Sequence, residues 1–173
     1  WMALPVLLKL RFGVLEVIST LLLNFVAEAL VSWMVQGPLQ ESGHIYPQSN
    51  ALPISARLPG LPGTRLHLGI VLALILAVGS WVAARHTLVG FQLRATGQNA
   101  LAAAVTGGVN TRRVFGWALL TSGAFAGLAG ATEISGTTFA LFQNLSPGYG
   151  FTAIAVALLA RLNPLATILT GLL

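Results

Sequence analysis

Residues 14 to 36 read VLEVISTLLLNFVAEALVSWMVQ, and the fold turns on how this stretch is read. At 1.5 Å per residue its 23 positions reach past the roughly 30 Å hydrocarbon core of a bilayer, which predicts a membrane-spanning helix. Inside that apolar run every fourth residue from 16 onward is polar: Glu16, Thr20, Asn24, Glu28, Ser32 and Gln36, with Ser19 alone outside the pattern. Steps of four in a helix of 3.6 residues per turn drift by about 40° each, so these residues form one slowly winding stripe. A carboxylate at the centre of a span costs about 2.5 to 3.5 kcal/mol on insertion scales, so Glu28 is expected to face protein or water, or to be protonated. Two readings stand: a helix lining a pathway, with Thr20, Asn24 and Glu28 among the lining residues, or a helix buried against neighbours with its Asn and Thr as interhelical glue.

Working outward, residues 37 to 65 form a loop rich in Pro, Gly and Ser. Prolines at 38, 47, 53, 59 and 62 forbid a regular helix, so an extended, turn-filled segment is expected. Residues 66 to 84 give a second span, 85 to 113 a connector, and 114 to 135 a third span, in which Gly123, Gly127 and Ala131 recur at steps that let two backbones approach closely. Glu133 falls near the outer end of that span. The last apolar region, 139 to 173, is interrupted by "ARLNP" at 160 to 164. Either a span starts early, near Phe139, or the helix breaks inside the membrane and offers Arg161 and Asn163 to a transport pathway, or Pro164 only kinks it while Arg161 snorkels to the surface. The expected fold class is all-α, a polytopic helical membrane protein with about four spans.

Composition agrees. Of 173 residues, 55% are hydrophobic and 8% charged, and mean hydropathy is +0.83. The net charge of +5 is scattered singly between apolar runs, so it reads as a topology signal and not as a nucleic-acid surface. Lys9, Arg11, Arg85, Arg94, Arg112 and Arg113 fall on one side by alternation, whereas the long loop carries Arg57 and Arg65, partly balanced by Glu41. The positive-inside bias therefore makes 85 to 113 cytoplasmic and 37 to 65 external. The chain begins with Trp and ends inside an apolar run, which leads us to expect part of a longer protein.

Several chemistries lack their residues. There is no cysteine, no GxxxxGK[ST] phosphate loop and no HExxH zinc spacing, and His44, His67 and His86 stand far apart. No enzymatic activity, cofactor or metal is expected of this chain.

The connector contains "RATGQNALAAAVTGGVNTRR", residues 94 to 113. Asn99 to Thr106 suffices for about two helical turns, Gly107 with Gly108 supplies a stop, and Asn110 or Thr111 is placed to cap the next helix. Such an alanine-rich helix lacks the bulky face of a lipid anchor and suits a groove on another protein.

Five blocks together, "EVISTLLLNFVAEALV", "ISARLPGLPGTRLH", "VGFQLRATGQNALAAAVTGGVNTRRV", "SGAFAGLAGATEISG" and "SPGYGFTAIAVALLARLNPLA", resemble the inner-membrane permeases of bacterial ATP-binding-cassette (ABC) importers. The group is the one serving branched-chain amino acids, simple sugars and nucleosides, with the nucleoside and simple-sugar branch nearest. The resemblance implies a permease subunit in the bacterial cytoplasmic membrane that works with ABC ATPase subunits, a second homologous or identical permease subunit and an extracytoplasmic substrate-binding lipoprotein. It assigns ATPase coupling to the region holding Asn99, Ala100, Ala103, Ala104, Gly107 and Gly108. Ala100 and Leu101 stand where such permeases usually carry a proline and an acidic residue, and Glu28 stands where an apolar residue is expected. The competing readings are a proton-coupled carrier that titrates Glu28 and an accessory membrane subunit.

Overall fold

Three apolar stretches become long helices. In the computed structural model, which describes residues 1–63 and 66–172, these are α2 (Glu16–Gln36), α3 (Gly69–His86) and α6 (Thr111–Glu133), the last prolonged by a π-helical turn, Ile134–Thr138. Each is long and apolar enough to cross a membrane, and their most apolar windows are only 6%, 0% and 6% buried. The bulk of their aliphatic surface thus faces away from the chain, as it does when the solvent is lipid. The protein is a polytopic helical membrane protein. Arg65, counted among the loop cations, lies outside the described residues with Thr64 and Leu173.

The chain forms two compact units, Trp1–Gly69 with Leu120–Pro147, and Ile70–Leu119 with Gly148–Leu173. In the first, a short helix that the sequence reading did not foresee, α1 (Ala3–Phe12), precedes α2. Gly13 ends it in the left-handed region at φ 68°, its N–H donating to Lys9 O at 3.0 Å and that of Val14 to Leu8 O at 3.4 Å, and Lys9 Nζ then meets Glu16 Oε2 at 2.6 Å. Met2, just before α1, sits on Gly123, where an added Cβ would come within 2.5 Å of the Met2 Cβ. Of the small residues expected to pack, Gly123 is thus used, while Gly127 faces open space.

The Pro-rich loop is extended, with one 3-10 turn at Ile54–Ala56, and it runs antiparallel to the chain that leaves α6. Ser49 N donates to Leu141 O at 2.7 Å, Leu52 N to Phe139 O at 2.7 Å and Leu58 N to Ser135 O at 2.8 Å, and Gln48 bridges Phe142. Helix ends leave carbonyls without intrahelical partners, and here the loop supplies the donors. The Arg57 guanidinium stacks 4.5 Å over the Phe139 ring and donates from Nε to Leu52 O at 3.0 Å, closing the strap. The span expected from Leu66 begins at Gly69 instead, because His67 is held out of the helix by an isolated bridge to Gly60.

In the second unit the connector is more helical than expected. Thr87 accepts from Gly90 N at 3.1 Å and starts α4 (Leu88–Gln98), followed by α5 (Ala100–Gly107). A Cβ at Gly90 would strike the carbonyls of Ala83 and Ala84, so α4 leaves α3 at a corner that only glycine fits. The interrupted region forms α7 (Tyr149–Leu159) and α8 (Ala166–Thr170). Residues 139 to 148 are not helical, so the span starting near Phe139 does not form. Nor is the interruption a simple kink: Arg161 and Leu162 are both left-handed, at φ 50° and 58°, and α8 returns to α7, with Thr170 Oγ1 donating to Val156 O at 3.2 Å. Pro164 cannot donate to a helical ladder and disfavours helical geometry at Asn163, so the chain reverses there. With 11 residues, α7 is about 16 Å long, half the hydrocarbon core.

Candidate functional site

The connector helix α5 is defined at both ends by side-chain chemistry. Asn99 accepts from Ala102 N at 3.0 Å, Gly108 closes the helix at φ 59° so that Val109 N donates to Ala103 O at 3.1 Å, and Asn110 Oδ1 accepts from Arg113 N at 3.1 Å to start α6. Of the residues named from the sequence, Asn99, Ala100, Ala104, Gly107 and Gly108 are exposed, but Ala103 is buried, at 8% exposure. Ala103 belongs to the inner face, which packs on α4. The outward face carries Leu101 and Val105, 76% and 78% exposed and one turn apart. The expectation of an alanine-rich helix without a bulky face missed that pair. Their i, i+4 spacing among alanines was the available signal.

On α2 the polar stripe resolves into bonded pairs. Thr20 Oγ1 donates back to Glu16 O at 2.9 Å, Asn24 Nδ2 donates to Glu28 Oε1 at 3.2 Å, and Gln36 Nε2 donates to Ser32 Oγ at 3.0 Å. Ser32 also accepts from Gln143, which ties the end of the stripe to the chain after α6. Asn24 and Glu28 are exposed. Arg161 and Asn163 belong to the other unit, at the reversal between α7 and α8; both are exposed, and Asn163 Oδ1 accepts from Leu165 N at 3.1 Å.

A third cluster forms around His67, one of the three histidines that stand far apart in the sequence. The His67 ring lies between Gly69 and Gly136, where an added Cβ at either would approach its Cε1 to 2.5 or 2.6 Å, and Nδ1 accepts from Gly69 N at 3.1 Å. It serves as a cap for α3 and a wedge against the π turn. His44 contacts Gln40 at 2.9 Å and His86 packs edge-on against Trp81 at 5.5 Å, so the three histidines have separate structural partners.

Comparison with known proteins gives the family. The profile of the family described as branched-chain amino acid transport system / permease component matches residues 1–173. A glucose ABC transporter permease protein of Haloferax volcanii is 35% identical over 99% of this chain and 48% of its own length. A guanosine ABC transporter permease protein of Bacillus subtilis is 37% identical over 100% of the chain and 51% of its own length, and a nucleoside ABC transporter permease protein of Lactococcus lactis 26% identical over 98% and 49%. The chain therefore spans about half the length of the curated relatives it matches. No solved structure matches.

Proposed function

We propose that this chain, which belongs to the branched-chain amino acid transport system / permease component family, forms part of the permease subunit of an ATP-driven importer for nucleosides or simple sugars. The names of the relatives support the cargo class. The observation that carries the mechanism is α5, a separately capped helix between two spans whose outward face is a bare Leu101–Val105 pair. Burying a Leu or Val side chain is worth about 1.5–3 kcal/mol, so two of them on a helix with little else to offer suit a hydrophobic cleft on a partner. That partner is a separate ATPase subunit, which hydrolyses the ATP; this sequence carries no GxxxxGK[ST] phosphate loop. In this reading residues 85 to 113 face the cytoplasm and 37 to 65 the outside of the bacterial cytoplasmic membrane, where a substrate-binding lipoprotein delivers cargo, and a second permease subunit completes the pathway. Closure of the ATPase pair moves α5, and α3 and α6 carry the motion into the membrane.

Uptake into vesicles by the complete transporter tests this. It is expected to require ATP and the ATPase and to survive collapse of the proton gradient; uptake driven by that gradient without ATPase would favour the carrier reading and overturn this one. Replacing Leu101 and Val105 together by Ser is expected to weaken ATPase association at least tenfold and leave membrane insertion intact. Unchanged association would remove α5 from the coupling role.

A further inference from the structure

The polar stripe of α2 is not uniform. Near its ends the groups are spent on neighbours: Ser19 and Thr20 bond back to Glu16 O, and Ser32 accepts from both Gln36 and Gln143. Asn24 and Glu28 bond to each other, and among the described residues no other partner reaches either side chain. They flank Val26, the midpoint of the 21-residue helix, by two residues each, so both lie about 3 Å from the centre of the span. Asn24 Nδ2 donates to Glu28 Oε1, which leaves Glu28 Oε2 and Asn24 Oδ1 as open acceptors. The helix holds no Lys or Arg to neutralise the carboxyl.

We infer that Asn24 and Glu28 are the cargo-selecting element of the span, resting on the permease reading above. The pair takes an uncharged solute that presents two hydroxyl or N–H donors side by side, and it turns away anionic solutes such as phosphate esters and carboxylates. Two acceptors one helical turn apart, held in relation by their own hydrogen bond, match adjacent donors on a sugar or a nucleoside. An anion arriving there brings acceptor oxygens to open acceptor lone pairs, with no Lys or Arg on the helix to pair it and little water to screen the repulsion. A site whose polar groups are left unpaired by the wrong solute discriminates strongly, and that is the property needed to separate hydroxylated solutes from anionic ones.

The test uses the complete transporter in proteoliposomes, with ribose, glucose, guanosine and cytidine as uptake probes. It also compares equilibrium binding of glucose and glucose 6-phosphate to the transporter without its receptor. Glu28→Leu is expected to lower kcat/KM for the transported probe about 100-fold, and Glu28→Gln, which keeps the shape and the bond to Asn24, about tenfold. The wild type is expected to prefer glucose over its phosphate at least tenfold and the Gln variant to bind the two within about twofold. ATPase assembly, read by co-purification, should be unchanged in both variants. Undiminished kcat/KM in Glu28→Leu, or equal binding of the two sugars by the wild type, overturns the inference and leaves the permease reading standing. Failure of the wild type to import any probe with ATP would overturn the permease reading itself.

Discussion

The stretch from 37 to 68 and the connector from 87 to 110 each join two long helices, yet their hydrogen bonds run over different sequence distances. The first is tied to residues 135 to 142 by bonds such as Ser49 N to Leu141 O, which are 92 positions apart. The second is bonded to itself: Thr87, Asn99 and Asn110 each cap a helix three residues or fewer away. Local bonds survive when a segment moves as a body, whereas long-range bonds must break or carry their partner along. The connector is thus built to be displaced whole, and the strap to hold two distant parts of the chain together.

The sharpest way to break this contrast is at the corner that joins α4 to α3. A Cβ at Gly90 would meet the backbone carbonyls of Ala83 and Ala84, not a side chain that could swing away. Gly90→Ala is therefore expected to cost at or above the upper end of the usual 1–3 kcal/mol for overpacking, about 3 kcal/mol. It should abolish ATP-driven uptake while the three spans still insert, as read by protease protection. Near-normal uptake would show that the corner tolerates a different angle and that the connector is not a rigid lever.

Gly136→Ala tests the other side of the comparison. Its new Cβ would fall 2.6 Å from the His67 ring, which must swing out and surrender the bond from Gly69 N. The loss is expected to be about 2 kcal/mol, one partly buried hydrogen bond and its contacts, and to appear as faster amide exchange at Gly69 with the connector unaffected. If exchange in α5 rose as well, the two regions would not be energetically separate.

Asn99→Ala removes one cap and should cost about 1 kcal/mol, confined to α5. Asn99→Asp or Asn99→Ser should restore most of it. Helix content of the connector, followed by hydrogen exchange of Ala102 and Ala103, reads the effect directly.

These cases also explain what the sequence revealed. The spans and the capped helix were legible because apolar run length and capping residues act over a few positions: Asn99, Gly108 and Asn110 do in the structure what their types foretold. Helix α4 was missed although Thr87 signals its start and Leu88, Phe91 and Ala95 recur at helical spacing, because Gly90 and Gly97, poor helix formers, interrupt Leu88–Gln98. The outward turn of Leu101 and inward turn of Ala103 depend on α4, so no reading of α5 alone could assign them. The strap and the His67 wedge were invisible for a different reason. Their partners lie about 70 to 90 residues away, and nothing in "PQSNALP" or "LHLG" names Leu141 or Gly136.

The smallest expected effect lies at the exposed tip of the loop, where the strap gives way to local bonding. Glu41 accepts from Gln48 Nε2 at 2.7 Å and from Tyr46 N at 3.1 Å, and its own N–H donates to Gln48 O at 2.8 Å. The Gln48 side chain, then the backbone N–H of Tyr46, hold its carboxyl below the ordinary glutamate value. A group whose folded pKa is depressed stabilises the fold above its unfolded pKa, and the contribution fades as pH falls through the folded value. The turn from 41 to 48 should therefore be ordered at neutral pH and loosen below about pH 4, with faster intrinsic-rate-corrected exchange at Tyr46 N. Glu41→Gln should remove this pH dependence, because the amide does not titrate, while its single oxygen keeps only one of the two bonds. Since its bonds are all local, the change should stay within the turn and leave Ser49, Leu52 and Leu58 protected; loss of their protection in acid would mean that the tip and the strap open as one unit.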